Sequence, residues 1–350
     1  MHLFSTKRLL FVIVASVVCL APANFVFAQF DFNFTINPNL LDSSDGTIDG
    51  TITAEQEADL AAALDESAAF WQQFIVGFQP GVSNNLTGID INVGLSNFAP
   101  IDGEPNGPGG TLASAGPSGF FFNSGGFTFL TTESPFSSPS RLGGVVTIDS
   151  ADFINLDSPL FADTLNHEIG HALGFGTLFE INGVLEDETG QFTGEQGRAT
   201  FQQEFDPTAT FIPIELDGGP GTRNGHINET IGFGPLEDLI INPNAGEPGE
   251  PDFIADPNGE NDPGDLVAAP LTVLLPGDNF GRSLNDDLLT GRLNFNGDAF
   301  LSDTTVATFQ DIGFQVVLPS QLSTIPEPSS LLLLGLVSLS ATRRRRHGAC

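Results

Sequence analysis

The chain has 350 residues and a formal charge of −33, with 40% hydrophobic residues, 32 Phe, one Trp and no Tyr. That length allows a large core in one or two domains. Lys7, Arg8 and Arg343 to Arg346 hold six of the eleven basic residues, so residues 29–325 carry five Arg against 43 acids, a net −38. A surface of that sign repels phosphate backbones and anionic headgroups, which argues against nucleic acid as a partner, and it attracts divalent cations. The two cysteines, Cys19 and Cys350, lie in the end segments, so the body has no disulfide.

Taken in order, residues 1–28 begin with Lys7 and Arg8, continue through the apolar run Leu9 to Leu20 and reach Val26-Phe27-Ala28. This is the pattern of a secretory signal peptide cleaved after Ala28. The apolar run is shorter than the ~20 residues of a membrane-spanning helix. Residues 29–52 precede the first predicted element, either as a pro-segment or as part of the domain. Thr53-Ala54-Glu55-Gln56 forms a capping box. Leu60, Leu64, Ala68, Trp71, Ile75 and Phe78 follow at helical spacing, which predicts a long amphipathic helix over 53–77. Ile89, Ile91 and Val93 alternate as a strand does, the Gly/Pro/Asn-rich interval 99–126 reads as loop, and Val145 to Ile148 read as a second strand.

Ser158-Pro159 provides an N-cap and first-turn pair for a helix carrying Leu160, Leu165, Ile169, Ala172 and Leu173 and ending near Gly174. A short helix near 194–205 and a strand at 211–216 come next. An acidic, Pro/Gly-rich insertion covers 242–270, and order resumes at Leu271 to Leu275. Ser302 caps a last helix over 304–311, which closes at Gly313 before a strand from Phe314 to Val317. No internal repeat is visible.

Inside the helix 158–174 stands His167-Glu168-Ile169-Gly170-His171, with Gly174 three residues on. Residues i and i+4 share a helix face, so two imidazoles can address one ion with Glu168 beside them as a base, a geometry that zinc accepts. His2 and His347 belong to the end segments, and the body keeps only His167, His171 and His226. That count equals the three protein ligands typical of catalytic zinc. The plainer alternatives are a solvated helix that binds nothing and an exposed His226 in the loop Asn224-Gly225-His226-Ile227-Asn228-Glu229. The acidic run Asp256 to Asp265 offers hard oxygens to Ca2+ but lacks the EF-hand spacing, and a solvated loop is the other reading.

The C-terminus is tripartite: Pro326-Glu327-Pro328, the uncharged segment Ser329 to Ala341, and Arg343 to Arg346. Thirteen uncharged residues are short for a stable span, which favours transient membrane insertion, and the arginines favour the cytoplasmic side. This tail resembles the PEP-CTERM sorting signal of Gram-negative bacteria. The resemblance implies an exosortase-type sorting enzyme as a partner and delivery to the cell surface or extracellular matrix. The chain thus divides into a signal peptide (1–28), a body (29–323) and a sorting tail (324–350).

The pattern H-E-x-x-H-x-x-G with a distant third His resembles the metzincin-clan zinc peptidases, specifically the bacterial relatives of leishmanolysin. Gly109 to Pro117, the strand running into Asp149, and Leu301-Ser302 through Asp311-Ile312-Gly313-Phe314 match further, so the resemblance covers most of residues 53–316. It implies an α+β fold with a mixed twisted sheet, a long backing helix and an active-site helix. It also implies a secreted zinc endopeptidase that cleaves a peptide or protein substrate, with Glu168 as general base and with His167, His171 and a third residue holding Zn2+. Most metzincins carry the third His three residues after the glycine, where this chain has Thr177. Leishmanolysin-like proteins move it downstream, and His226 lies 55 residues beyond His171.

The family's methionine turn finds no Met here other than Met1. Glu237-Asp238-Leu239-Ile240 and Asp287-Leu288-Leu289-Thr290-Gly291 are the two candidates for its place, and the second aligns Asp278 with the third-ligand slot. His226 and Asp278 therefore both stand as third ligands. The substrate is expected in extended form beside Val145 to Ile148. Two other classes compete: a non-catalytic surface or matrix protein that keeps a degraded peptidase scaffold, and an anchored binding module without metal.

Overall fold

Phe32, Phe34 and Ile36 alternate with the exposed Asn33 and Thr35, and this period of two forms β1 (Asp31–Asp42), on which the sheet is built. In the computed structural model the described residues are 30–42, 48–97, 112–134, 138–149, 159–186, 189–216, 222–228, 239–241, 253–255, 271–291 and 299–322. The signal peptide, Ser158, the acidic run 256–265 and the sorting tail lie outside them. The interval 29–52, unassigned from sequence, supplies β1 and also β2 (Ile48–Thr51). β1 pairs in parallel with β4 (Gly88–Asn97) along most of its length, so it is an integral strand of the sheet.

The five-stranded sheet runs β2-β1-β4-β8-β5, where β5 is Ala113–Pro117 and β8 is Arg141–Asp149. β1, β4 and β8 are parallel, while β2 and β5 pair antiparallel at the two edges. The expected strand 145–148 is therefore longer and lies inside the sheet, with β5 as the edge. Ile89, Ile91, Val93, Leu142, Val146 and Ile148 are buried on one face, and α1 (Ala54–Trp71) and α2 (Pro159–Ala172) pack there. Gly144 permits the close approach of α2, since a Cβ at that position would sit 3.1 Å from Ala172 Cβ.

The Thr53–Gln56 capping box is present, but α1 stops at Trp71 and not at residue 77. Ile75 and Phe78 continue the helical spacing yet belong to β3 (Ile75–Phe78), which pairs antiparallel with β14 (Phe314–Val316). A short apolar run fits either element, and burial against Phe314 decided for the strand. The interval 99–126, expected as loop, contains β5 and β6 (Phe120–Ser124), and β7 (Phe127–Thr131) begins directly after it. β6 and β7 form a hairpin whose turn residues Gly125 and Gly126 have φ of 64° and 90°, as tight hairpin turns require.

Beyond α2 come α3 (Thr177–Ile181), β9 (Leu185–Glu186), β10 (Gln191–Phe192), α4 (Glu195–Glu204) and β11 (Ile212–Pro213). The expected strand 211–216 is shortened to β11, and Ile214 bridges to Ile227. Leu239–Ile241 and Phe253–Ala255 pair as β12 and β13. The Ser302-capped helix is α5 (Asp303–Asp311), and α6 (Pro319–Leu322) ends the described chain. Helices α4 and α5 cap each other reciprocally. Glu204 accepts from Asp303 N at 3.1 Å and Thr304 N at 2.7 Å, and Asp311 accepts from Gln196 N at 3.0 Å and Gly197 N at 2.8 Å. Each carboxylate thus meets the positive end of its neighbour's dipole. No helix among the described residues is long and apolar enough to cross a membrane.

Trp71 joins α1 to α2. Fully buried, it donates from Nε1 to Asn166 O at 2.9 Å, one residue before His167. Trp71→Ala is expected to cost about 3–5 kcal/mol of stability, measured by denaturant unfolding followed by circular dichroism; a loss well below that range would show that the neighbouring core closes over the gap.

Candidate metal centre

His167, Glu168 and His171 all lie on α2 and are all buried. The helix must stop soon after them for its last turn to serve the second histidine. Gly174, at φ 114°, takes the left-handed conformation that terminates it. Gly176, at φ 76°, then lets the chain lie against the backbone of Gly225, where any Cβ on Gly176 would be 2.6 Å from Gly225 Cα. That close approach places the loop 222–228 over the end of α2. His226 is fixed there by Glu215 N donating to His226 O at 2.9 Å and by Ile227 N donating to Leu289 O at 3.0 Å.

The three imidazoles converge. Nε2 of His171 is 3.0 Å from Nε2 of His167 and 3.0 Å from Nε2 of His226, and the third side of the triangle is 3.2 Å. The opposite nitrogens face backbone carbonyls. His167 Nδ1 is 2.6 Å from Leu288 O, His171 Nδ1 is 3.2 Å from Phe175 O, and His226 Nδ1 is 3.1 Å from Thr222 O. A carbonyl oxygen only accepts, so each Nδ1 donates and each neutral ring keeps its Nε2 lone pair bare. Glu215 Oε2 stands 3.4 Å from His226 Nδ1 as a second neighbour of that ring.

Burial keeps the rings neutral. It lowers His167 to about 4 and His226 to about 3, and it holds His171 well below the ordinary 6.5, where repulsion from the other two rings adds to the effect. Three bare lone pairs at such separations repel unless a cation lies among them. Nitrogens held at 2.0–2.1 Å by one tetrahedral ion sit about 3.3 Å apart, close to the spacing found here. The donor set therefore fits a metal ion. Glu168 lies beside His167 in the same apolar surroundings, and burial alone pushes its carboxyl from 4.5 to about 8.

Of the sequence candidates, the structure brings His167, His171 and His226 together, their ligand atoms all within 4.8 Å of one another. Asp278 is not in that group. It is exposed and lines a separate cleft with Phe74, Val273 and Pro319. Of the two stretches weighed for the methionine turn, Asp287 to Thr290 lies beneath the histidines, whereas Leu239 and Ile240 pair with β13. The stretch Asp287 to Thr290 and His226 therefore meet at one site, a combination the alignment with Asp278 did not anticipate. Sequence reasoning missed the three carbonyls, because backbone acceptors leave no signature in residue identity, and Glu215, whose carboxylate no motif spacing ties to His226.

Residues 324–346 match the PEP-CTERM protein-sorting motif. That motif implies recognition of the C-terminus by an exosortase, with export and surface sorting. No curated protein matches the chain.

The raised Glu168 has a consequence in metal-free protein. Between pH 4.5 and about 8 the folded chain keeps a proton on Glu168 that the unfolded chain has released, so this residue costs stability as pH rises through that window. Glu168→Gln should therefore leave the melting temperature unchanged near about pH 4 and raise it progressively toward pH ~8. Melting curves of variant and wild type across that range test this, and a difference independent of pH would show an ionised Glu168.

Proposed function

We propose that the body of this chain is a secreted zinc-dependent endopeptidase of the leishmanolysin-like, metzincin type. The observation that carries the reading is the triangle of three bare Nε2 atoms with a buried carboxyl on the adjoining residue. His167, His171 and His226 would hold the ion through Nε2, and three neutral imidazoles suit Zn2+ among the transition metals. Bound there, zinc supplies Lewis-acid polarisation and acidifies a water molecule.

Glu168 would serve as the base that accepts a proton from the attacking water and delivers it to the leaving amine. A carboxyl whose affinity for protons is raised by burial is suited to both halves of the transfer. Leu288, Phe175 and Thr222 hold the rings in the Nδ1–H tautomer through their carbonyls, so no proton competes at Nε2. The substrate is an extended peptide added to the sheet at β5. β5 takes this part in place of β8 because it is the outer strand, it packs against α2, and Gly116 faces Thr177 just past the end of that helix.

Glu168→Ala is expected to lower peptide hydrolysis about 10²–10⁴-fold while zinc content stays at that of the wild type. His226→Ala should lose the zinc. Turnover retained in Glu168→Ala would sink the role of the carboxylate, and a wild type that holds zinc but cleaves no peptide would point to the non-catalytic scaffold.

A further inference from the structure

The turn beneath the histidines is organised by a side chain that touches none of them. Asp287 is 1% exposed, and its carboxylate accepts three hydrogen bonds. Oδ1 takes Leu289 N at 2.9 Å and Thr305 Oγ1 at 2.8 Å, and Oδ2 takes Ser302 N at 3.0 Å. Its backbone is fixed as well, with Asp287 N donating to Leu284 O at 3.0 Å and Thr290 Oγ1 donating to Asp287 O at 2.8 Å. The carboxylate therefore clamps the turn to the start of α5, where N–H groups without intrahelical partners favour an anion.

Two carbonyls leave this turn toward the histidines. Leu288 O receives His167 Nδ1, and Leu289 O receives Ile227 N, the residue after His226. Leu289 also packs onto α2 between the two ligand positions, where a Cβ on Gly170 would meet its Cδ1 at 2.8 Å. An apolar side chain in place of Asp287 would leave two buried backbone N–H groups and a hydroxyl without this acceptor. The turn would then be free to move relative to α5, and both carbonyls would move with it.

We propose that Asp287 is a positioning residue for the metal centre. It sets the aim and tautomer of His167 through Leu288 O, and the seat of His226 through Leu289 O and Ile227. The inference rests on the reading of the three histidines as metal ligands. Glu204 provides an internal comparison: it grips the same end of α5 through Asp303 N, Thr304 N and Thr304 Oγ1 but touches nothing in the turn.

The experiment loads the full chain with Co2+ and measures affinity by competition with a chelator, together with the visible absorption of the bound ion, in Asp287→Asn and Glu204→Gln. Asp287→Asn turns an amide donor toward Ser302 N. It should weaken Co2+ binding about 10–100-fold and alter the spectrum, as loss of ligand support generally does. Glu204→Gln should lower the melting temperature of the metal-free chain with affinity and spectrum as in the wild type. If Asp287→Asn fails to fold, Thr305→Val, which withdraws one donor from the carboxylate, should shift affinity and spectrum in the same direction. A folded Asp287→Asn, or Thr305→Val in its place, that binds Co2+ with wild-type affinity and spectrum overturns the role of Asp287 alone. A wild type that takes up no Co2+ overturns the metal reading with it.

Discussion

Three imidazole nitrogens without protons point at one another inside an apolar shell, and the surrounding structure serves to keep their protons on the far side of the rings. Each Nδ1 needs a carbonyl, and each carbonyl comes from a place where regular structure gives way. Phe175 O is available because α2 ends at Ala172; in a continuing helix that oxygen would accept from a backbone N–H four residues on. Leu288 O lies in a tight turn, and Thr222 O lies in the turn that precedes His226. Gly176 follows from the same requirement, since a side chain there would hold the end of α2 away from the loop that brings the third ring, while Gly174 supplies the left-handed residue that ends the helix.

The aromatic part of the shell is built almost wholly of Phe, beside aliphatic side chains such as Leu289 and Ile169. Phe175 meets Phe179 at 4.8 Å and Phe309 at 5.9 Å, Phe309 meets Trp71 at 5.4 Å, and Phe179 continues to Phe192 at 4.7 Å, mostly in edge-on or tilted contacts. Such packing ties α1, α3, α5 and β10 together around Phe175, just past the end of α2. A phenolic hydroxyl in this shell would need its own acceptor. Phe asks for none. The low polarity that results is what depresses the three imidazoles and raises Glu168.

Legibility in the sequence followed the range of the interaction. His167, Glu168 and His171 could be read because i and i+4 share a helix face, and α5 could be read from Ser302 and the apolar positions after it. The scarcity of histidine singled out His226, but its approach depends on Gly176 against Gly225, a backbone contact across 49 residues that no spacing rule contains. β5 was hidden by its composition, since Ala113-Ser114-Ala115-Gly116-Pro117 has little β propensity and forms a strand only because β8 offers it a ladder. The over-extension of the first helix arose because Ile75 and Phe78 satisfy the helical period while their burial is against β14. Asp278 came from a family register and not from a local pattern, and the structure places it, exposed, in a separate cleft.

The acidity of the body and the chemistry of the histidine triangle act on different cations. With 43 carboxylates against five arginines over residues 29–325, the surface concentrates divalent ions, chiefly the hard ones that carboxylate oxygens prefer. Arg141 is already engaged with Asp31 and Asp90, so one of those five cations neutralises the sheet's own carboxylates. At the triangle, all three clustered groups are imidazoles, and in the metal-free chain burial disfavours the charged form of the adjacent Glu168. Hard ions drawn to the surface therefore gain little there, whereas a borderline ion that accepts nitrogen gains three ligands whose lone pairs are already aligned. On the proposed metal reading, the neutral triangle would sort the cations that the charged surface attracts, and it would do so only while Nδ1 of every ring remains bound to a carbonyl.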